Sequence, residues 1–283
     1  MIYSETTTLL ALTLNEIEGV KAILPQIMRE WFDQIIVVDG GSTDGTVEWA
    51  RDNGYEVYVQ KKKGIRHAYL EVLPLIKGDI ILSFSPDGNC PPSAIPLIID
   101  KIRGGYDLVI GSRYRGNAVS EDDDAITGFG NWLFTKTVNV LHHASYTDAM
   151  VIFRAFRKSL IYELDLDREE SYRLPEWLFG TVISWEPLMA VRAAKAHKKI
   201  AEVAVGEPPR IGGKRKLQIL RWGAAYYFQF WRELWHWRPK APAPDSEISP
   251  AHLDEGAVPA GSQYSSEPIS RAKRWPDGRR AKI

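Results

Sequence analysis

The stretch Asp39-Gly-Gly-Ser-Thr-Asp-Gly-Thr46, directly after the apolar run Gln34–Val38, is the part of the sequence that decides the fold class. An apolar, β-branched run that ends in an acid and leads through a glycine turn into a helix is typical of the carboxyl end of a buried strand. In open α/β sheets, ligands bind outside that end of the strands. A second apolar run, Ile80–Phe84, ends in Ser85-Pro-Asp-Gly-Asn89. Two strand ends that carry acids predict a bound polar ligand, with or without a metal, while simple turn formation is the alternative for either motif alone.

Strand-like apolar runs alternate with helical patterns through the first half of the chain. We predict strands at Leu9–Leu14, Ile35–Val38, Tyr55–Val59, Ile80–Phe84 and Leu108–Ile110. Helical patterns are predicted near residues 16–31, 44–53, 65–76, 93–103 and 127–142. This alternation predicts an α/β fold with a mainly parallel sheet and helices on both faces. Neither GxGxxG nor GxxxxGK[ST] occurs, so a dinucleotide-binding Rossmann domain and a P-loop have no support.

The composition limits the class of protein. The chain has 283 residues, of which 45% are hydrophobic, enough for one large domain or two small ones. Its 36 basic and 36 acidic side chains cancel, so net charge does not favour a nucleic-acid partner. A single cysteine, Cys90, excludes an intramolecular disulfide and fits a reducing compartment. No signal-peptide pattern and no apolar run of about 18 residues are found, so we predict a cytoplasmic protein without a transmembrane helix.

Residues 214–238 differ from the rest because aromatic side chains lie among basic ones at helical spacing. Tryptophan and tyrosine beside arginine suit the headgroup region of a membrane. We therefore predict a basic, aromatic-rich interfacial helix, with docking on the domain or on a second subunit as the alternative. Residues 239–283 are rich in proline and poor in apolar residues, which predicts disorder. The predicted domains are the α/β domain at 1–213, the helix at 214–238 and the tail at 239–283.

Two further groups of residues, an acidic run and the histidines, contain side chains of the types that bind metals. The acidic run Glu121–Asp124 is interpreted as a solvated loop, with cation binding as the alternative. The six histidines form no convincing metal set.

An ordered set of motifs resembles the family 2 glycosyltransferases of the GT-A fold, and more narrowly their polyprenyl-phosphate branch, which includes dolichol-phosphate mannosyltransferase. The resemblance covers roughly residues 5–225 and depends on the order of the motifs. In chain order they are Thr13-Leu-Asn15-Glu16, Asp39–Thr46, Lys63-Gly64, Gly111-Ser-Arg-Tyr114, Gly130-Asn131, Thr147-Asp148-Ala-Met150, Phe153-Arg-Ala-Phe156, Glu207-Pro-Pro-Arg210 and Gly212-Gly-Lys-Arg-Lys-Leu217.

One motif departs from the family pattern, which often has Asp-x-Asp-x-Gln before a Pro-Pro pair. Aligned on Pro91-Pro92, this chain has Ser85, Asp87 and Asn89 at those positions. The resemblance implies a Mg²⁺ or Mn²⁺ site at Asp87 and Asn89, because hard cations prefer oxygen ligands. Loss of the first carboxylate is expected to weaken binding of the free metal until the donor diphosphate contributes ligands.

The resemblance implies transfer of a sugar from a UDP- or GDP-sugar to a polyprenyl phosphate, with inversion, by an enzyme on the cytoplasmic face of a membrane. The expected catalytic residues are Asp87, Arg113 and Asp148. The expected donor nucleotide site consists of Thr13, Asn15, Glu16, Asp39, Gly41, Ser42, Asp44, Lys63 and Ser85. The expected acceptor-phosphate site consists of Arg113, Arg154, Arg210, Lys214, Arg215 and Lys216.

Two other functions stay open at the level of sequence. A family 2 enzyme with a hydroxyl acceptor would need a carboxylate base, for which Asp148 is the candidate. A non-catalytic nucleotide-sugar binder is favoured only by Ser85 in place of an acid. The basic Lys214-Arg-Lys216 segment immediately before the aromatic helix favours the lipid phosphate.

Overall fold

The computed structural model describes residues 5–212 and 219–240. The strands of that part of the chain are β1 (Thr7–Thr13), β2 (Gln34–Asp39), β3 (Glu56–Val59), β4 (Ile80–Phe84), β5 (Leu108–Ser112), β6 (Arg154–Arg157) and β7 (Ile200–Ala204). The helices are α1 (Ile17–Ile23), α2 (Thr46–Asp52), α3 (Ile65–Val72), α4 (Ile95–Arg103), α5 (Ala125–His142), α6 (Ser159–Glu163), α7 (Glu170–Phe179), α8 (Glu186–Lys195) and α9 (Ile219–His236).

The described strands form one sheet in the order β3-β2-β1-β4-β6-β5-β7. All neighbours pair in parallel except β6, which lies antiparallel between β4 and β5. The mainly parallel α/β fold predicted from the sequence is confirmed, and each of the five predicted strands is present within a few residues. Strands β6 and β7 were not predicted, and in β6 the arginines at both ends interrupt the apolar pattern.

The sheet is buried at its centre. Every residue of β1, β4 and β5 is buried, as expected for parallel strands covered by helices. On α4, the four isoleucines that repeat at helical spacing are buried in the same core. Because β1, β2, β4 and β5 all run in the same direction, their carboxyl ends meet at one edge, and the polar motifs of the sequence lie there.

Helix α9 packs on the helices α5, α7 and α8. Its Ala225 and Phe230 are completely buried, and the Glu233 carboxylate forms a buried ion pair with Arg192 of α8 at 2.9 Å. One face of the predicted interfacial helix is therefore docked on the domain, which is the alternative stated above. Residues 213–218 and 241–283 lie outside the described part. The predicted domain boundary at 213, the basic residues Lys214, Arg215 and Lys216, and the predicted disordered tail thus stay predictions.

Within residues 5–212 and 219–240, no helix combines the length and hydrophobicity that crossing a bilayer requires.

Candidate active site

A cleft of about 770 Å³ lies at the carboxyl edge of the sheet. It brings together side chains that are far apart in the sequence. The predicted site residues that line it are Thr13, Glu16, Lys63, Ser85, Asp87, Asn89, Arg113 and Arg210. Of the other predicted residues in the described part, Asn15, Asp39, Gly41, Ser42, Asp44, Asp148 and Arg154 are not among those that line it.

Asp39 holds the turn that follows β2. It is fully buried, and its Oδ1 accepts hydrogen bonds from the backbone N–H groups of Gly41 (2.8 Å) and Ser42 (2.7 Å). Its Oδ2 accepts from the hydroxyls of Thr13 (2.8 Å) and Ser42 (2.6 Å). These four bonds use the acceptor positions of a carboxylate. Asp39 is expected in the donor nucleotide site, and a hydrogen bond from a nucleotide to its carboxylate would have to replace one of these four.

The turn after β2 is also fastened to the end of β1. The Asn15 N–H donates to Ser42 Oγ at 2.7 Å, and its side-chain oxygen accepts from the Thr43 N–H at 2.8 Å. Asp44 accepts from the Ile17 N–H at 3.0 Å, at the beginning of α1. Burial by itself raises the pKa of Asp44, but hydrogen bonds from Thr46 and Ile17 outweigh it and lower that pKa. Asn15, Ser42 and Asp44 thus connect the loops after β1 and β2 through hydrogen bonds, and their predicted contacts with a donor nucleotide stay a prediction.

Two glycines allow neighbouring segments to lie close to the turn that carries Asp87. A Cβ on Gly19 of α1 would lie 2.3 Å from the carbonyl oxygen of Pro86, so only glycine allows α1 this close. Gly88 has φ of +98°, and a Cβ there would come within 2.8 Å of Ile211 Cγ1. The Ile211 N–H donates to the Asp87 carbonyl oxygen at 2.7 Å. The loop that contains Arg210 is therefore anchored to this turn by its backbone.

The Asp87 turn fits a hard divalent cation. Asp87 and Asn89 both line the cleft, and the Asn89 N–H donates to Asp87 Oδ1 at 3.1 Å. Asn89 Oδ1 is buried and accepts no hydrogen bond from the described residues. No group of three or more His, Cys, Asp or Glu side chains in the described ranges is arranged to hold a metal. Asp87 and Asn89 would thus hold a cation together with the phosphates of a bound donor.

Arg113 is held in place by two carboxylates. Its Nε and Nη2 donate to Asp148 at 2.6 and 3.0 Å, and its Nη1 lies 3.5 Å from Glu207 Oε2. Burial by itself lowers the pKa of Arg113, but the Asp148 and Glu207 charges outweigh it and raise that pKa. The guanidinium at the cleft is therefore permanently positive.

The backbone at Asp148 is held by Glu202 of β7. Its backbone N–H donates to Glu202 Oε1 of β7 at 3.0 Å, and the neighbouring Thr147 N–H donates to the same oxygen at 2.8 Å. The Asp148 side chain is fully buried, and both of its oxygens contact Arg113. This arrangement corrects the hypothesis that Asp148 is a base for a hydroxyl acceptor, because the carboxylate orients Arg113 instead.

Arg154 is a correction to the predicted acceptor site. Its side chain is fully buried in β6. Nε donates to the Val151 carbonyl at 2.9 Å, and Nη1 donates to the Glu186 carbonyl at 2.9 Å. Burial lowers the pKa of Arg154. Because its donors serve backbone carbonyls beneath the cleft, Arg154 stabilises the α8 connection and has no access to an acceptor phosphate.

Glu207 is a cleft residue that was not assigned a role from the sequence. Its Oε1 accepts from the Asn89 side-chain amide at 3.2 Å, and its Oε2 accepts from the Ser120 hydroxyl and faces Arg113. The Glu121 N–H donates to the Glu207 carbonyl at 2.8 Å. Glu207 therefore joins the Asp87 turn, Arg113 and the acidic run in one network. The signal in the sequence was its place in the Glu207-Pro-Pro-Arg210 motif.

The acidic run Glu121–Asp124 is a loop with no buried residue, as predicted, and two of its side chains also form hydrogen bonds within the protein. Asp123 accepts hydrogen bonds from the Tyr114 hydroxyl and from the Asn131 amide, the latter at 3.1 Å. Asp124 caps α5 by accepting from the Thr127 N–H at 2.8 Å. Burial raises the pKa of Tyr114. Asp122, Asp123 and Asn131 line the cleft beside the Arg113 network.

Besides the charged residues around Arg113, Arg210 and Asp87, which we call the charged floor, the cleft has an apolar wall. Helix α5 contributes Ile126 and Phe134, and α9 contributes Trp222, Gly223 and Tyr226. The Tyr226 hydroxyl accepts a hydrogen bond from the Ser184 N–H at 2.9 Å, which fixes its ring at the cleft. The aromatic helix thus forms part of the candidate active site, a role that its sequence pattern did not indicate.

The sequence was compared with models of protein families. The model described as glycosyl transferase family 2 matches residues 13–165, more than half of the chain. The chain belongs to glycosyl transferase family 2. Residues 13–165 include the strand-end motifs at Asp39 and Asp87 and the Arg113–Asp148 pair.

Curated relatives of this family 2 chain include enzymes named for polyprenyl phosphates. Glycosyltransferase AglJ of Haloferax volcanii is 28% identical over 233 residues, covering 81% of this chain and 72% of the relative. A dolichyl-phosphate hexose transferase of the same organism is 29% identical and covers 75% and 87%. An undecaprenyl-phosphate mannosyltransferase of Micrococcus luteus is 27% identical and covers 75% and 92%. The resemblance to the polyprenyl-phosphate branch is confirmed, and the chain is a glycosyltransferase.

The fold is also similar to that of solved structures. Glucosyl-3-phosphoglycerate synthase from Mycobacterium tuberculosis, in complex with Mn²⁺, uridine diphosphate and glucosyl-3-phosphoglycerate, has a TM-score of 0.55 at 20% identity. The likeness covers 82% of this chain and 80% of that one. It confirms the predicted GT-A fold.

Proposed function

We propose that this glycosyltransferase moves a hexose from a nucleoside-diphosphate sugar to a polyprenyl phosphate at the cytoplasmic face of a membrane. One observation carries the choice of acceptor. The cleft joins a charged floor, where Arg113 and Arg210 lie, to an apolar wall from α5 and α9. A molecule with an anionic end and a hydrocarbon chain matches both halves, and the names of the curated relatives point to the same class.

The residues of the floor suit such a transfer. In the proposed reaction, a phosphate oxygen of the acceptor forms a bond to the anomeric carbon while the bond from that carbon to the donor diphosphate breaks, so the configuration is inverted. A lipid phosphate is already anionic near neutral pH and needs little help from a base. It needs a fixed cation, and Arg113 can present one because Asp148 and Glu207 hold its guanidinium.

The donor would lie on the side of β1 and β2. The cleft residues expected to bind the donor are Thr13, Glu16, Lys63 and Ser85. A Mg²⁺ or Mn²⁺ ion at Asp87 and Asn89 would supply positive charge to the leaving diphosphate. The similar synthase was solved in complex with Mn²⁺ and uridine diphosphate, which supports a divalent cation and a UDP-sugar for this chain as well.

A membrane surface is proposed as a partner because two neighbouring helices expose apolar side chains. Along α5, Ile126, Phe129 and Trp132 are more than half exposed. Along α9, Trp231 and Trp235 are exposed on the face opposite the docked one. Phe134 of α5 packs against Tyr227 and Phe230 of α9, so the two helices are adjacent. Ile126 also lines the cleft, which supports a membrane surface that adjoins the cleft along α5.

A family 2 enzyme with a hydroxyl acceptor is the alternative. It would need a carboxylate base near the donor carbon. Asp148 is occupied by Arg113, so Glu207 or Asp122 would have to take that role. The apolar wall of α5 and α9 has no use in that reaction, which is why we favour the lipid acceptor.

The transfer assay tests the proposal directly. Radiolabelled UDP-glucose, UDP-N-acetylglucosamine and GDP-mannose are each supplied with a short-chain polyprenyl phosphate and Mn²⁺ or Mg²⁺, and label is counted in the organic phase. We expect label in that phase with one donor, which would also identify the sugar. Label that enters only a water-soluble hydroxyl acceptor would overturn the lipid assignment.

Two variants connect the assay to the site. Asp87→Ala is expected to abolish transfer without loss of the fold, and retained activity would refute the cation assignment at Asp87.

Arg210→Ala is expected to raise the KM for the lipid phosphate more than the KM for the donor, since the proposed role is in acceptor binding. Equal changes in both KM values would count against it.

A further inference from the structure

Arg210 contacts the carboxylate that is proposed to hold the metal. Its Nη1 lies 2.7 Å from Asp87 Oδ2 and 3.5 Å from Glu16 Oε1. Both carboxylates line the donor side of the cleft and are nearly buried. Arg210 Nε is itself buried and has no hydrogen-bond partner among the described residues. The guanidinium therefore neutralises Asp87 in the absence of a donor.

The backbone near Arg210 is fixed independently of its side chain. The Ile211 N–H donates to the Asp87 carbonyl, and Ile211 packs against Gly88. Loss of the Arg210–Asp87 ion pair would leave this backbone bond in place. The guanidinium can thus change partners by side-chain rotation while the loop stays on the Asp87 turn.

A divalent cation bound to Asp87 would contact the same carboxylate that Arg210 now contacts. The cation and the Arg210 guanidinium are both positive and would repel each other there. Binding of the cation therefore disfavours the present position of Arg210. Arg113 is already paired with Asp148 and Glu207, so Arg210 is the cleft arginine whose carboxylate partner is itself a proposed metal ligand. An anionic acceptor in the cleft is a partner that the displaced guanidinium would find.

We propose that Arg210 is a positioning residue with two partners. It holds Asp87 and Glu16 before the donor arrives, and it turns to the anionic acceptor once a cation occupies Asp87. This inference rests on the proposed cation site and deepens the proposed function, because it sets an order of binding. The metal enters with the donor diphosphate, and only then does the acceptor phosphate gain its second arginine. Free metal binds weakly because Arg210 competes for Asp87. Asp87 is the carboxylate that this motif keeps, since Ser85 stands where the family pattern often has the first Asp.

The test measures metal binding and needs no acceptor and no turnover. Binding of Mn²⁺ alone is followed through the electron paramagnetic resonance signal of the free ion, for the unaltered protein and for Arg210→Gln. We expect Arg210→Gln to bind Mn²⁺ on the order of tenfold more tightly, because a competing charge has been removed. Unchanged or weaker binding in Arg210→Gln would overturn the proposal.

Two control variants separate competition from a general change of charge. Lys63→Gln removes a cation that lines the same cleft and is expected to change Mn²⁺ affinity less than twofold. Arg210→Lys keeps a positive charge and is expected to keep most of the competition. A tenfold gain in Lys63→Gln would show a field effect and contradict a specific role for Arg210. Protection of the Ile211 amide from hydrogen exchange reports that the loop stays anchored in each variant.

The Mn²⁺ binding experiment and the lipid transfer assay can fail independently of each other. Tighter Mn²⁺ binding by Arg210→Gln together with a failed lipid transfer assay would sustain the inference and remove the lipid acceptor. Absence of Mn²⁺ binding to the unaltered protein, even with uridine diphosphate present, would remove the inference while lipid transfer could still be observed.

Discussion

Arg113 and Asp148 form an ion pair in which each side chain depends on the other. Asp148 is fully buried, and Arg113 is only 12% exposed in its side chain. A buried carboxylate without its partner is costly, so the pair acts as a unit. Asp148 touches no solvent, and its effect on the reaction is expected to come through the orientation of Arg113.

Asp148→Asn is therefore expected to lower kcat by roughly a hundredfold, with a small change in the donor KM. The physical reason is that the amide cannot hold both nitrogen donors of Arg113. The measurement is steady-state kinetics on Asp148→Asn, Arg113→Lys and the double variant. The double variant is expected to be little worse than Arg113→Lys alone, since residues that act as a unit are not additive. Additive losses in the double variant would instead favour a separate catalytic role for Asp148.

Helix α9 shows how an element of aromatic composition is fixed to the domain. Its docked face carries one buried ion pair, between Glu233 and Arg192, and Arg192 also donates to the Leu164 carbonyl at 2.8 Å. The Trp237 indole donates to Asp165 at 2.9 Å just after the helix ends. These bonds fix the helix so that Trp222 and Tyr226 reach the cleft.

Glu233→Ala is expected to destabilise the protein by about 3–5 kcal/mol, because it leaves the Arg192 guanidinium buried without its carboxylate. The measurement is the free energy of unfolding in urea, followed by tryptophan fluorescence. Glu163→Ala is the matched control, since Glu163 pairs with Lys198 at a partly exposed site and its loss is expected to cost about 1 kcal/mol or less. Equal losses for both variants would contradict the assignment of α9 docking to the buried pair.

At the scale of the whole molecule, the surface around the cleft mouth differs from an ordinary surface. Exposed apolar residues are common one at a time, but contiguous ones on adjacent helices indicate an interaction surface. Phe129 and Trp132 of α5 stack with ring centroids 5.8 Å apart and are 61% and 55% exposed. Ile126, on the preceding turn of α5, is 67% exposed and lines the cleft. A lipid acceptor would enter the cleft from this side.

The double variant Phe129→Glu with Trp132→Glu is expected to bind anionic phospholipid vesicles at least tenfold more weakly, because burying an aromatic side chain contributes about 1.5–3 kcal/mol. The measurement is co-sedimentation with vesicles of phosphatidylglycerol and phosphatidylcholine. Leu97→Glu is the control, since Leu97 is exposed on α4. Vesicle binding that is equal in the double variant and the unaltered protein would contradict the proposed surface, and a change in sedimentation velocity without vesicles would point to a second copy of the chain.

The sequence allowed some parts of the site to be predicted and not others. The strand-end motifs at Asp39 and Asp87 were readable because a strand end and its turn are local in sequence, and the family resemblance added Arg113 and Arg210. Arg154 was assigned wrongly because its motif shows its neighbours in the chain and not its burial in β6. The Glu121–Asp124 run is an unburied loop as predicted, but the partners of Asp123, Tyr114 and Asn131, are recognised only in three dimensions.

The sequence by itself determined the mainly parallel α/β fold, the edge of the sheet at which the site lies, and membership of the family. The fold and the edge of the sheet follow from the period of apolar residues and from turns, which are short-range properties of the chain. Membership of the family follows from the ordered set of motifs that the chain shares with it. The tertiary structure alone decided which charges face each other. It pairs Asp148 with Arg113 and Asp87 with Arg210, and it places α9 as the apolar wall of the cleft. Such pairings depend on packing between distant segments, and whether a charged side chain binds a ligand or a neighbour depends on its burial.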